Sequence, residues 1–332
     1  MGRGLRLGRR GRLWRSHQGR PHRFVLRLLR RRPRVRPQAG SRPVHTVSDL
    51  TPSQRVRQAL AAAGHDPLKA LSQNFLTDPN ILRHIGDAAC VAPGDHVLEI
   101  GPGPGVLTVE LLARGAKVRA VELDGGLAGY LQDAFRGRPL EVIRGDVLEM
   151  DLAELVDGDR PWTVASNLPY SISTPFMYEL ATVAHRLERA VLTLQREVAE
   201  RACAPAGHPA RGAVSAVVRR RLGPAILRRI PASAFHPPPR VESALLELVP
   251  SDRAPEEATA ESYRTLVRAA FGQRRKTLVK ALAMGPDAIA KAEALAVVAA
   301  AGLSGRERAE EIGEEEFDRM ARELDRLRGL GP

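Results

Sequence analysis

The chain has 332 residues, 43% hydrophobic and 27% charged, so it is long enough for two domains and can bury a sizeable core. Its two cysteines, Cys90 and Cys203, exclude a disulfide scaffold and a multi-cysteine zinc module, and they suit a reducing compartment. The net charge of +13 comes from residues 1–45, which hold 15 Arg and no Lys, Asp or Glu, whereas the remaining residues carry a net charge of −2. Total charge is therefore no argument for nucleic-acid binding.

The first segment, residues 1–45, consists mostly of Arg, Gly and Pro and lacks the apolar residues needed to fold alone. Three interpretations are open: an organellar transit peptide, a disordered basic arm that grips phosphate, or leader sequence upstream of the true start. We favour the third, with the disordered arm second; the segment is poor in the Ser typical of transit peptides, which weakens the first interpretation.

The next segment, from residue 46 onward, alternates helices with short apolar strands. Such alternation with short loops predicts an α/β fold with a doubly wound, mostly parallel sheet covered on both faces. In chain order the predicted elements are a helix over Thr51–Ala63, a helix capped by Asp78, a strand over His96–Ile100, a helix over Val106–Ala113, strands over Lys117–Leu123, Leu140–Ile143 and Trp162–Ser166, a helix over Pro175–Leu180 and a strand over Ala190–Leu194.

The pattern changes after about residue 213. Two strand-like runs, Ala213–Arg219 and Ala244–Val249, bracket a proline-rich loop over Pro231–Pro239. The chain from about Pro255 is Ala-rich, charged and helical in character. We therefore predict a sheet domain over residues 46–253 and a small helical domain over residues 254–332.

A glycine-rich turn, Gly101-Pro-Gly-Pro-Gly105, follows the first long strand and precedes a helix. Glycines let the backbone approach a ligand closely, and the helix N-terminus supplies amide donors. Glu122 ends the next strand, where a carboxylate can accept hydrogen bonds from both hydroxyls of a ribose. Asp146 follows the third strand and can accept from an adenine amino group, although a turn or cap role is the better explanation of this residue in isolation. The turn lacks the spacing that cradles a pyrophosphate, which favours a nucleoside ligand without phosphate.

The fourth strand ends in Asn167-Leu168-Pro169-Tyr170. An exocyclic adenine amine is a poor nucleophile because its lone pair is delocalised into the ring. The Asn167 side-chain carbonyl and the Leu168 backbone carbonyl can accept from the amine hydrogens and localise that pair. Pro169 fixes the turn, and Tyr170 offers a face on which an extruded base can stack. Positioning and electrostatics would then supply most of the catalysis, without a strong general base.

These residues resemble ribosomal RNA adenine N6-dimethyltransferases of the KsgA type. The resemblance extends from about Thr51 to Lys280 and is carried by runs in the family's order: Ser72–Leu76 (SQNFL), Glu99–Gly103, Glu122–Asp124, Gly145–Asp146, Asn167–Pro175, Gln195–Arg201 (QREVAER), Ala234–Ser243 (AFHPPPRVES) and Phe271–Leu278 (FGQRRKTL). It implies a Rossmann-like class I methyltransferase sheet with a small C-terminal helical domain.

The resemblance also implies the site. S-adenosyl-L-methionine (SAM) would be the cofactor, and Phe235 would sandwich the extruded adenine opposite Tyr170. The expected SAM-contacting residues are Asn74, Leu76, Gly101, Glu122, Asp146 and Asn167. The expected reaction is dimethylation of two adjacent adenines in the 3′-terminal hairpin loop of small-subunit (16S) RNA, by a monomer acting late in ribosome assembly in the cytoplasm, or in mitochondria if residues 1–45 are a transit peptide.

Several positions depart from the family pattern. Ser166 stands where Gly usually precedes the NLPY run, Ser171 replaces a common Asn, and Arg211 stands where a Tyr is frequent.

Two basic clusters, Arg219–Arg221 and Arg274–Lys276, are candidates for phosphate contacts, and the family pattern favours the second. The histidines lack metal spacing, so we predict no metal site.

Two other functions compete with this prediction. The related methyltransferases that modify large-subunit RNA and confer macrolide resistance share the chemistry. A non-catalytic assembly or transcription factor on the same fold would bind RNA or DNA without turnover. The intact glycine turn, Glu122 and Asn167 favour an enzyme over a binding factor. A nicotinamide dehydrogenase is disfavoured by the turn spacing.

Overall fold

The computed structural model describes residues 50–64, 74–251, 260–285 and 287–330. The predictions for residues 1–45 and for a domain boundary at residue 253 fall outside the described residues. Along the chain lie strands and helices in this order: α1 (Pro52–Ala63), β1 (Phe75–Leu76), α2 (Pro79–Ala88), β2 (His96–Ile100), α3 (Val106–Ala113), β3 (Lys117–Glu122), α4 (Gly125–Ala134), β4 (Leu140–Arg144), α5 (Leu152–Leu155), β5 (Trp162–Asn167), α6 (Ser173–Thr182), β6 (Leu187–Gln195), α7 (Arg196–Cys203), α8 (Ala213–Arg221), β7 (Leu222–Ile230), β8 (Phe235–His236), β9 (Ser243–Pro250), α9 (Ala260–Gly272), α10 (Leu278–Leu282), α11 (Lys291–Ala300) and α12 (Glu314–Arg328).

The main sheet has seven strands in the order β4-β3-β2-β5-β6-β9-β7. Strands β2 to β6 are parallel, and β9 and β7 extend the sheet with antiparallel pairing. This confirms the Rossmann-like α/β class. Because β2, β3, β4 and β5 are neighbours and parallel, their carboxyl ends lie at one edge of the sheet, where the predicted site residues follow them.

Local sequence explains the helix starts near the site. The Thr51 side chain accepts from the Gln54 amide at the start of α1, and Asp78 accepts from the Asn80 and Ile81 amides at the start of α2. Proline occupies the first helical position in both helices. The predicted cap at Asp78 is therefore confirmed, and α2 begins shortly after β1, the two-residue strand that ends the SQNFL run.

Within the described ranges, the run from Ala213 was predicted with the wrong type of secondary structure. It forms helix α8, not a strand, and its valines pack into the core with Tyr263, whose hydroxyl donates to the Ala216 carbonyl. The strand in this part of the chain is β7, which the sequence did not predict because it is an edge strand, exposed along most of its length and containing Pro224.

Two apolar clusters cover the two faces of the sheet. One gathers side chains of α1, α2, α3 and the short β1–β8 ribbon. The other continues from the sheet through α6 and α8 into α9, α11 and α12. The C-terminal helices thus share one continuous core with the sheet. Among the described residues no helix is long and apolar enough to cross a membrane.

Candidate functional site

The glycine turn contacts two other predicted parts of the site. Gly101 and Gly103 have φ angles of 62° and 54°, which side-chain-bearing residues rarely adopt. A Cβ on Gly101 would lie 3.3 Å from the Pro169 ring, and one on Gly103 would lie 3.0 Å from the Phe75 ring. The turn therefore packs closely against the Pro169 and Phe75 rings, and both its φ angles and these contacts favour glycine at the two positions.

Glu122 anchors the same turn. Its carboxylate is buried and accepts from the Gly103 amide and the Asp124 amide, both at 2.9 Å. Burial raises the pKa of Glu122, and these amide hydrogen bonds oppose the rise. Each carboxylate oxygen can accept a second hydrogen bond, and acceptance from ribose hydroxyls by Glu122 stays a prediction.

Asp146 is at the neighbouring strand end. One of its carboxylate oxygens accepts from the Leu148 amide at 3.0 Å and caps the short turn over Val147–Glu149. The cap role that the sequence allowed is therefore present. The side chain is half-buried at the same sheet edge as Glu122, and its contact with an adenine stays a prediction.

Asn167 has a buried acceptor with no partner. Its Nδ2 donates to the Asn74 backbone carbonyl at 3.2 Å, which fixes the orientation of the amide. Its Oδ1 is buried and has no hydrogen-bond partner among the described residues. A buried polar atom without a partner is costly, and such atoms in folded proteins call for a ligand, a water or a functional role. The orientation leaves the carbonyl oxygen, the atom that the chemistry requires, as the unpaired one.

The rest of the NLPY run is held by backbone contacts. The Leu168 amide donates to the Thr193 carbonyl on β6, and the Leu168 side chain is buried. The Pro169 carbonyl accepts from the Ile172 amide, which closes a tight turn over Tyr170–Ile172. The Tyr170 ring is half-buried, and its hydroxyl lies 2.6 Å from the Ser243 hydroxyl. The turn thus presents Tyr170 beside Asn167.

The predicted residues of the N-terminal and proline-rich runs meet in a two-stranded ribbon. Phe75 pairs with His236, and Leu76 pairs with Phe235. Leu76 and Phe235 are buried in the apolar cluster of α2 and α3, with Phe235 only 3% exposed. Packing therefore explains Phe235 as the structure stands, and its stacking on an adenine remains a prediction. The ribbon brings Asn74 to Asn167.

Two serines near the site were not predicted to act there. Ser166, which replaces the family's usual glycine, is fully buried and donates to the Ile100 carbonyl at 2.5 Å, directly before the glycine turn. Ser243 is fully buried at the start of β9 and contacts Tyr170. Ser243 ends the AFHPPPRVES run, so the run that carries the resemblance already pointed to its position, although not to its partner.

Arg211, the other marked departure, lies within the core. Its guanidinium is fully buried and donates to the Ala204 and Ile312 carbonyls and to Glu314. Arg274 donates to the Pro209 and Arg211 carbonyls from the same side. Arg211 therefore fastens the loop before α8 to the C-terminal helices and has no direct part in the site.

The first basic cluster is structural rather than a free phosphate-binding face. Arg220 and Arg221 are buried, and Arg220 pairs with Asp318 at 2.7 Å beneath the Tyr263 ring. Arg219 donates to the Cys203 carbonyl. The second cluster, Arg274–Lys276, is exposed, and its contact with phosphate stays a prediction. No group of three metal-binding side chains occurs among the described residues.

Glu99, beneath the glycine turn, provides a pH-dependent test of this geometry. Burial raises its pKa to about 8, while the Thr108 hydroxyl, which donates at 2.7 Å, opposes the rise and nearby Glu122 adds to it. The folded protein thus holds a proton that the unfolded chain releases near pH 4.5. The stabilisation is complete below that pH and is lost as the pH rises to about 8, by up to ~1.4 kcal/mol per pH unit.

We expect Glu99→Gln to remove this pH dependence, because glutamine keeps an acceptor for Thr108 without an ionisable proton. Urea unfolding at pH 5 and pH 8 measures the free energy of unfolding in both proteins. The wild type should lose several kcal/mol more than the variant between the two values. The exposed Glu149→Gln is the control and should behave as the wild type. Parallel profiles for Glu99→Gln and wild type would contradict the buried, protonated carboxyl.

Comparison with known proteins gives a consistent family. A family model described as ribosomal RNA adenine dimethylase matches residues 65–325. The ribosomal RNA small subunit methyltransferase A of Moorella thermoacetica is 40% identical over 268 residues, covering 78% of this chain and 92% of the relative. The protein of the same name from Methylococcus capsulatus is 38% identical over 261 residues, covering 79% and 99%.

Solved structures agree with the fold. A dimethyladenosine transferase from Plasmodium falciparum superposes with a TM-score of 0.63 at 26% identity, covering 76% of this chain and 98% of that structure. The 23S rRNA methyltransferase ErmE superposes with a TM-score of 0.55 at 24% identity, covering 76% and 100%, which at this identity establishes a shared fold alone.

Proposed function

Since this chain belongs to the ribosomal RNA adenine dimethylase family, we propose that it places two methyl groups on each of two adjacent adenines in the 3′-terminal hairpin loop of small-subunit ribosomal RNA. It is a methyltransferase that uses SAM. The observation that carries the proposal is the buried Asn167 Oδ1, which has no hydrogen-bond partner in the described part of the chain and can therefore accept from an N–H donor of the substrate.

The residues present fit SAM. The cradle at Gly101 and Gly103 has no room for a side chain, and the Glu122 carboxylate behind it can accept from ribose hydroxyls. We assign Asn74, Leu76, Gly101, Glu122, Asp146 and Asn167 to the SAM site. When bound, SAM supplies an electrophilic methyl group on a sulfonium.

The chain's own contribution to the reaction is to hold and polarise the adenine amine. Asn167 Oδ1 accepts one amine hydrogen, and the Leu168 carbonyl accepts the other, which localises the nitrogen lone pair. The Asn74 carbonyl holds the Asn167 amide in the orientation that this requires. The face of Tyr170 receives the extruded base. Positioning and electrostatics then lower the barrier without a strong general base, and the methylated nitrogen releases its proton to solvent or a neighbouring acceptor.

The small-subunit target rests on the relatives. Both curated relatives described above are named as small-subunit methyltransferases, whereas the likeness to the 23S enzyme is one of fold. We further propose that one copy acts on an immature small subunit in the cytoplasm, where bacterial ribosomes assemble. The mitochondrial alternative depends on residues 1–45, which lie outside the described residues.

The test is transfer of labelled methyl from SAM to purified small subunits that lack the modification. Large subunits and free RNA are the controls, and digestion with mass analysis identifies the product. We expect dimethyladenosine confined to the small subunit. Label in large-subunit RNA would move the target to the resistance-type branch, and SAM binding without any transfer would favour the binding-factor alternative.

A further inference from the structure

A contact between the Tyr170 hydroxyl and the Ser243 hydroxyl links the site to strand β9. Tyr170 follows β5, and Ser243 is the first residue of β9, which is separated from β5 by the whole of β6. Their oxygens are 2.6 Å apart, a normal length for a hydrogen bond between hydroxyls. The contact therefore crosses one strand to reach a ring at the catalytic edge.

Ser243 is a rigid partner for this bond. Its side chain is fully buried, and its backbone is paired on both sides, with Gln195 of β6 and with Ile230 of β7. A residue at the junction of three strands has little freedom to follow a moving ring. Tyr170, in contrast, sits on a one-turn helix outside the sheet and is only half-buried, so its own surroundings restrain it less.

A hydrogen bond to a phenol hydroxyl restrains the whole ring because of the geometry of the side chain. The O–H lies at the far end of the side chain from the backbone and prefers the plane of the ring. A fixed partner at that end therefore restrains both the position of the ring and its tilt. A stacking platform needs this restraint, because stacking depends on offset and on the angle between the two planes.

We propose that Ser243 is a positioning residue that orients Tyr170 as the platform for the target adenine. This rests on the proposed function, in which Tyr170 receives the base. Ser243 touches neither the adenine nor SAM; it acts through the ring. Loss of its hydroxyl is expected to leave the SAM site intact and to misplace the base relative to Asn167. Small misplacements of a reactant lower the reaction rate strongly.

The first experiment observes the ring without requiring turnover. The chain has four tyrosines, so labelling the ring carbon that bears the hydroxyl gives four NMR signals, and Tyr170→Phe identifies the one from Tyr170. In Ser243→Ala, we expect that signal to shift and broaden while the other three stay in place. The matched control is Ser262→Ala, which removes another buried serine hydroxyl bound instead to Asp325 in the C-terminal helices. An unchanged Tyr170 signal in Ser243→Ala would overturn the proposal whatever the enzyme methylates.

The second experiment is a double-mutant cycle on methyl transfer to small subunits. Ser243→Ala and Tyr170→Phe should each lower kcat/KM for the small subunit by about tenfold, with SAM affinity within twofold of wild type. The double variant should show the same tenfold loss, since both changes remove one bond. Independent losses that multiply to about a hundredfold would mean that Ser243 supports β9 rather than the ring, and would refute the positioning role. Failure of the wild type itself to transfer methyl would refute the proposed function, and the NMR result would still decide the contact.

Discussion

Asn167→Ala should lower the rate of methyl transfer at least a hundredfold while the protein stays folded. The change removes the Oδ1 that we propose accepts from the target amine, together with the Nδ2 bond to the Asn74 carbonyl. Loss of one preorganised polar contact at a reacting group typically costs about 10²–10³ in rate. Single-turnover transfer with saturating SAM and small subunits measures the effect on the chemical step.

Asn167→Asp separates the two roles of this side chain. Aspartate keeps an acceptor oxygen but cannot donate to the Asn74 carbonyl, so its orientation is lost while its acceptor capacity remains. We expect a rate between those of the wild type and Asn167→Ala. Binding of small subunits should be close to wild type in both variants, because Asn167 is an interior residue of the site. Turnover of Asn167→Ala near the wild-type rate would refute the mechanism.

Arg211→Met should lower the free energy of unfolding by about 3 kcal/mol. The substitution keeps much of the side-chain volume but leaves two buried carbonyls, of Ala204 and Ile312, and the Glu314 carboxylate without their shared donor. Unpaired buried acceptors cost their full desolvation penalty. Urea unfolding followed by circular dichroism measures the difference.

The matched control for this change is Arg275→Met, which removes an exposed arginine from the same part of the chain. Surface substitutions of this kind usually alter stability by no more than about 0.5 kcal/mol. If Arg211→Met were equally mild, the buried clamp between the loop before α8 and the C-terminal helices would not be a major source of stability.

Periodicity and caps predicted most elements because those devices act within a few residues. Thr51 and Asp78 begin their helices as expected, and the parallel strands fall at the predicted positions. The prediction of a strand from Ala213 was wrong because the valines of this run fit a strand as well as a buried helix. Packing against the sheet and Tyr263 decides for the helix, and a residue so distant in sequence is invisible to local propensity.

The site residues divide in the same way. The positions of the glycine turn, Glu122 and Asn167 could be predicted from the sequence. Each lies at the end of a parallel strand, and neighbouring parallel strands place their carboxyl ends at one edge of the sheet. The hydrogen-bond partners of the site residues could not be predicted in this way. The Asn167–Asn74 and Tyr170–Ser243 contacts join residues 93 and 73 positions apart, and they exist because the β1–β8 ribbon and β9 pack beside β5 and β6.

The sequence by itself therefore determined the α/β class, the order of the parallel strands along the chain and the chemical groups at their ends, because those depend on short-range patterns. Only the tertiary structure decided that the Asn167 Oδ1 has no partner among the described residues, that Arg220 and Arg221 are buried rather than free for phosphate, and that Arg211 lies in the core. Each of these depends on which segments that are distant in sequence pack together. The burial and pairing of a side chain are set by those contacts and cannot be inferred from the residue alone.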